Sequence, residues 1–381
     1  MKKLSLYFHF PFCVKRCRYC DFVSYPRRDR HTHLKYKKAV FQEIALKVEE
    51  EGLRGSELST VYLGGGTPSL LFSEDVEEIL NYLRHFFAFS SSIEITMEVN
   101  PETVNGDKIR AFREAGINRF SVGVQSFNPH FLCFLGRSSS LEQIENVLSC
   151  MGKINCSSWS LDLLYSLPFQ SFLEWQREVE SALVYHPPHF SIYDLTFSPR
   201  VPLYQLAKRH PGIFPSSDEE ALYFEWAMER LDSEGYRHYE ISNFAQPGAE
   251  CRHNLNYWSD GEYLGVGTSA WSYLGGRRQK NTSSLKNYFT RLREGRTPLT
   301  FQEELAPHQK LTEDIMLRLR TEEGVKTSYL LAQYKREEVE SKLKCLEFLS
   351  KEGFIIKEEE RFYLSQKGML VANQIFQEIL D

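Results

Sequence analysis

Apolar residues recur at the i, i+3, i+4, i+7 spacing of a helix face in four places. Three are Phe41, Ile44, Ala45 and Val48; Val76, Ile79, Leu80 and Leu83; and Ile144, Val147, Leu148 and Met151. A shorter run begins with Ile109 and Phe112 and stops near Gly116. Around them lie short apolar stretches that predict strands over residues 4–10, 60–63, 93–99, 120–124, 159–164 and 190–195. Strands alternating with helices predict an α/β fold, a parallel sheet with right-handed crossovers wound as an open (β/α)6 barrel.

In such a barrel, ligands gather at the C-terminal ends of the strands. The polar punctuation keeps that phase. A cysteine-rich loop follows the first strand, Gly64-Gly65-Gly66-Thr67-Pro68 the second, Glu98-Val99-Asn100-Pro101 the third and Gln125-Ser126-Phe127 the fourth, and Asp162 ends the fifth. A triple glycine lets backbone approach a ligand closely, and serves equally as a tight strand-to-helix turn. Neither GxxxxGK[ST] nor GxGxxG occurs, which argues against a nucleoside triphosphate or NAD loop.

The densest chemistry is in Phe12 to Phe22, FCVKRCRYCDF, where Cys13, Cys17 and Cys20 form C-x3-C-x2-C. Three thiols this close leave one over from any disulfide, so the pattern reads as a metal or cluster site, against the plainer alternative of three unrelated thiols. Structural zinc and complete iron-sulfur sites usually take four protein ligands. Three thiolates without a nearby fourth leave one metal position open.

These residues, with Tyr19 before the third cysteine, resemble the CxxxCxYC signature of the radical S-adenosylmethionine (SAM) superfamily. The resemblance implies a 4Fe-4S cluster on Cys13, Cys17 and Cys20 whose open iron binds SAM. It also implies that the GGGTP backbone, at Gly65, Gly66 and Thr67, meets the SAM amino group. The motifs LYFHFPFC, ITMEVNP, VGVQSF, FLGR and LDLLYSLP are similar to the coproporphyrinogen III oxidase branch. By that likeness Tyr7, Glu98, Gln125, Arg137 and Asp162 contact SAM, and Thr196 joins them. An arginine suits the SAM carboxylate because its guanidinium is a fixed fork of donors.

The 381 residues, 42% hydrophobic, can bury a large core and suggest two or three domains, and a net charge of -5 gives no general affinity for nucleic acid. No apolar run approaches the roughly 18 residues needed to span a bilayer, and the first residues lack a signal-type apolar region, so a cytoplasmic protein is expected. The remaining cysteines, Cys133, Cys150, Cys156, Cys251 and Cys345, are scattered, as reduced core thiols would be. Nine basic residues against two acids between Val14 and Lys38 read as a solvated face, or as a receiver of carboxylates such as porphyrin propionates.

The barrel is expected over 1–200. From 201 to 305 the sequence becomes aromatic and reads as a second layer closing it. There the segment YEISNFAQPGAECRHNLNYW sets His253 among large flat rings. A lone histidine is more often structural, although imidazole is a standard axial ligand of heme iron. The segment resembles the HNxxYW element of the HemW family of heme chaperones, relatives of the oxidase thought to carry heme to respiratory enzymes. That likeness makes His253 the candidate heme ligand. The place of the oxidase's fourth cysteine is taken by Phe22, and the oxidase's longer N-terminal arm is missing, which favours the chaperone family. Departures exist too. Trp271 stands where chaperone relatives commonly have His, a position that contacts SAM in the oxidase branch and could cap its adenine; Ser198 replaces a common acid, and Ser166 a usual Gly.

Between Gln302 and Asp381, 16 acidic and 12 basic side chains accompany helical stretches over 313–319 and 337–349 and a hairpin in GFIIKEEERFYLSQKG. Helices followed by a hairpin resemble a winged-helix module over 306–381. Its acidic balance argues against DNA binding and for a packing or docking role.

Overall fold

The computed structural model describes residues 2–26, 29–154, 158–196 and 198–380. The six expected strands form as β1 (Lys3–Phe10), β2 (Glu57–Gly65), β3 (Ala88–Val99), β4 (Arg119–Gln125), β5 (Ser158–Tyr165) and β6 (His189–Asp194). They pair in parallel in sequence order. Every residue of β4 except Gln125 is buried. A parallel strand covered on both faces has this continuous apolar pattern.

The apolar stripes fall on the helices Arg30–Glu50, Ser73–Arg84, Gly106–Glu114 and Leu141–Met151. Ser140 with Gln143, and Ser171 with Glu174, form capping boxes that start the helices Leu141–Met151 and Phe172–Leu183. Each such cap is worth about 1 kcal/mol.

The aromatic region departs from the expected second layer. Its strands are β7 (Arg237–Glu240), β8 (Asn243–Ala245), β9 (Tyr263–Val266), β10 (Trp271–Leu274), β11 (Arg277–Asn281) and β12 (Leu299–Glu304), and they continue the barrel sheet at both edges. The full order is β12-β11-β10-β9-β1-β2-β3-β4-β5-β6-β8-β7. The physical reason is that an open barrel leaves the outer backbone groups of β1 and β6 unpaired, and extra strands satisfy them. β9 lies parallel beside β1, and β8 antiparallel beside β6. Tyr223, Phe224, Tyr236, Phe244 and Tyr288 share the barrel's own apolar core.

Buried polar bonds fix β9 in place. Lys47 donates to the Gly265 carbonyl at 2.8 Å and to Asn281 Oδ1 at 3.1 Å, while Glu43 accepts from the Gly267 amide at 2.8 Å.

Helices Pro307–Arg318, Thr327–Gln333 and Arg336–Lys351 pack with a three-stranded sheet of β13 (Val325–Lys326), β14 (Ile355–Glu358) and β15 (Arg361–Leu364), in the arrangement expected of a winged-helix module. Their core, including Leu311, Ile315, Val339, Leu346 and Phe362, is separate from the barrel's. Cys156 lies outside the described residues. The other seven cysteines carry free thiols; Cys251 is buried as a core thiol should be, whereas Cys133 is exposed. No helix among the described residues is long and apolar enough to cross a membrane.

Candidate functional site

The C-terminal ends of β1 to β6 enclose a cavity of about 450 Å³. Cys13, Cys17, Cys20, Gly65, Gly66, Thr67, Glu98, Gln125, Arg137, Asp162 and Thr196 all line it, so eleven residues singled out by motif converge there. No group of three or more His, Cys, Asp or Glu among the described residues is tight enough to hold a single metal ion. Three free thiols lining one cavity fit a cluster that takes one thiolate per iron. Burial raises the Cys13 thiol and pushes Cys20 up to about 11. Such thiols need a cationic partner such as iron to ionise.

The glycine run is fixed by its neighbours. A Cβ on Gly64 would meet Glu98 Oε1 and the Tyr62 ring at 2.8 Å; Gly65 has a φ of +107°, and a Cβ there would lie 2.4 Å from the His9 ring. The amides of this turn are already used: Gly65 donates to Glu98 Oε2 at 3.0 Å, Gly66 to the Phe10 carbonyl at 2.8 Å and Thr67 to the Phe12 carbonyl at 2.8 Å. What the turn can still offer is acceptor oxygen, and that matches an ammonium donor.

Glu98 is pushed up to about 7, chiefly by burial, with the Gly65 amide and the Tyr62 hydroxyl pulling it back down. Asp162 also lies above the usual carboxylate range because of burial, resisted by the hydroxyls of Ser121 at 2.7 Å and Ser160 at 2.8 Å. It does not end its strand as expected. β5 continues to Tyr165, and Asp162 faces the interior from mid-strand. Gln125 has a φ of +71° beside a register shift between β4 and β5, a bulge that re-aims its side chain at the cavity.

Arg137 follows Gly136, whose left-handed φ of +74° ends the helix Pro129–Leu135. Its Nη2 donates to the Gly123 carbonyl at 2.7 Å and to Asn100 Oδ1 at 3.0 Å, and Asn100 in turn donates to Thr67 Oγ1 at 3.0 Å. The buried Nε has no partner. This orphaned donor, on a guanidinium lining the cavity, fits an anionic group such as a carboxylate.

Three expected residues stand elsewhere. Tyr7 lies behind the cavity wall, its ring stacked 6.1 Å from Tyr62 and its hydroxyl 3.1 Å from His9 Nδ1; Tyr62 is the ring that reaches the cavity. Trp271 stands apart from the cavity lining. It is 39% exposed, packs edge-on against Phe301 under the Lys280 ammonium, and is absent from the lining. His253 is buried, with Nδ1 2.7 Å from Thr60 Oγ1 and Nε2 2.8 Å from the Tyr257 hydroxyl. Both ring nitrogens are therefore engaged, and ligation of iron would cost one of these bonds. Burial and the nearby Arg119 charge lower its pKa to about 3, so the ring is neutral.

Motif reasoning assigned no role to Asn100 although it lies within ITMEVNP, and missed Tyr62, Ser121, Tyr193 and Asp194; all five line the cavity. The four sit within three residues of a flagged motif, so strand phase could have found them.

Residues 7–180 match the Radical SAM superfamily, and residues 305–371 the HemN C-terminal domain. The chain is 31% identical to the heme chaperone HemW of Bacillus subtilis (strain 168) over 98% of each chain. It is 38% identical to that of Escherichia coli (strain K12) over 70% of this chain and 69% of the relative. Among solved structures, the coproporphyrinogen III oxidase HemN from Escherichia coli, described as a radical SAM enzyme, superposes with a TM-score of 0.86 at 26% identity, covering 99% of this chain and 90% of its own. A thiol-lined parallel barrel, the two matched domains and relatives alike from end to end agree: the chain belongs to the heme chaperone HemW family of the radical SAM superfamily.

Proposed function

We propose that this protein is a cytoplasmic heme chaperone that binds heme together with a 4Fe-4S cluster and SAM and passes the heme to a respiratory acceptor protein. The likeness along 98% of both chains to a protein named heme chaperone HemW carries this reading. Cys13, Cys17 and Cys20 would hold the cluster. The carbonyls of Gly65 and Gly66, the Thr67 hydroxyl and Glu98 would receive the SAM ammonium, Arg137 its carboxylate, and Gln125, Asp162 and Thr196 the remaining polar groups. Bound together, cluster and SAM supply one-electron chemistry at the sulfonium. The chain's own part is to orient the two and to keep water out. The acidic C-terminal module, with its separate core, is a packing or partner-docking element.

A second reading is oxidative decarboxylation of coproporphyrinogen III. The fold shared with the oxidase over 99% of the chain favours it. Phe22, standing where that enzyme has a fourth cysteine, opposes it.

One experiment separates the two. The cluster is reconstituted anaerobically, SAM and reductant are added with either coproporphyrinogen III or heme, and protoporphyrinogen and the heme Soret band are measured. Stable heme binding without decarboxylation is expected; decarboxylation with turnover would make the protein an oxidase.

A further inference from the structure

We propose that heme sits at the mouth of the cysteine cavity, with its carboxylates on Lys15 and Arg16 and its ring against Phe22 and Tyr193. This rests on the heme-binding reading above and names the part of the chain that would perform it.

The mouth differs chemically from the interior. Inside are Glu98, Asp162 and Arg137, groups suited to a small zwitterionic ligand. Phe22 is 60% exposed and Tyr193 39% exposed, and both line the cavity with buried Leu195 alongside, Tyr193 close to Asp162 and Glu98. Large rings left in water around one opening mark a surface that a flat apolar ligand covers.

The charge at the rim is complementary to carboxylates. Lys15 and Arg16 are exposed, line the same cavity and come from the loop that bears Phe22. The carboxylate beside them, Asp21, is taken by Arg200 at 2.8 Å from the opposite side of the barrel. The cations of the cysteine loop therefore keep their field at the opening. Two rings and two cations describe a planar, apolar, dianionic ligand, which is a dicarboxylic porphyrin and not SAM.

Lys15, Arg16 and Phe22 lie on the wall of this open cavity. His253, by contrast, is closed in by Thr60 and Tyr257.

The test titrates the reconstituted full chain with heme and with heme dimethyl ester, which lacks free carboxylates, and follows Soret absorbance. The wild type should bind heme roughly tenfold or more tightly than the ester, as charge-assisted contacts allow. The Lys15→Glu, Arg16→Glu double variant should lose that tenfold for heme, with ester affinity unchanged. Lys15→Arg with Arg16→Lys should retain heme. Equal wild-type affinity for heme and ester, or heme binding indifferent to charge reversal, overturns the proposal. Should charge reversal cost the cluster, the wild-type comparison decides alone. A wild type that binds neither porphyrin overturns the chaperone reading itself.

Discussion

Arg200 and Asp21 lie 179 residues apart in sequence, and Arg200 Nη2 donates to Asp21 Oδ2 at 2.8 Å. Close by, the Leu203 amide donates to the Arg18 carbonyl at 3.2 Å. The segment after β6 thus reaches the cysteine-bearing loop after β1 across the mouth of the barrel.

An exposed ion pair of this kind is worth at most about 1 kcal/mol, so Arg200→Ala should barely move Tm. The effect should appear instead in the cysteine loop. The expected result is faster loss of the cluster's visible absorbance in air at unchanged thermal stability; equal bleaching rates would show that the clasp does nothing for the loop.

Glu98 gives a pH dependence with a defined sign. Its pKa is raised from 4.5 to about 7 on folding, so the folded chain holds a proton there that the unfolded chain has released. Stability from this group is present below pH 4.5 and is lost as pH rises through about 7. Glu98→Gln should therefore raise Tm more at pH 8 than at pH 5 in the cofactor-free protein, and weaken SAM binding at both. Glu240, also raised to about 7 by burial, supplies part of the same slope and should leave it in the variant. A Tm gain independent of pH would remove Glu98 as the titrating group.

Gly65→Ala should cost SAM binding outright. The new methyl would need a φ of +107° and would lie 2.4 Å from the His9 ring, so the turn must shift. Gly275→Ala is the control, because its φ of +56° carries strain but nothing lies within 4 Å. The control should lose about 1 kcal/mol and keep SAM. Retention of SAM by both variants would mean that the turn's shape is irrelevant to the cofactor.

His253→Ala leaves the Thr60 hydroxyl and Tyr257 without their imidazole partner and opens a cavity; a loss of about 2–4 kcal/mol is expected, read as a lower Tm. Tyr257→Phe frees Nε2 while keeping the ring, and heme titration should not change. Tighter heme binding in that variant would restore His253 as the iron ligand.

Much of this was legible in sequence because parallel strands carry uninterrupted apolar runs and the residues beyond them do not. β1 to β6 follow from that contrast, whereas the eleven cavity residues were named chiefly by the family motifs they resemble. Asp162 misled because an interior-facing carboxylate in mid-strand looks like a strand end when only hydrophobicity is read. The short strands β7 and β8, of four and three residues, have no periodicity to detect; they exist because β6 needs a neighbour. Trp271 was placed by its motif, but its exposure is set by Phe301 and Lys280, which no local pattern links to it. Ser166, standing where Gly is usual, has a φ of +60°, so the structure explains the usual glycine and leaves the serine strained.

The position of β1 within the sheet fixes an order of events. The strand that presents the cysteines is made first, yet its outer neighbour β9, pairing Ser5 with Tyr263, is among the later barrel strands to be synthesised. Until then β1 is an edge strand, and its thiols hang from the margin of an incomplete sheet. Only a chain grown past residue 266 can pair both edges of the strand from which the cysteine loop hangs.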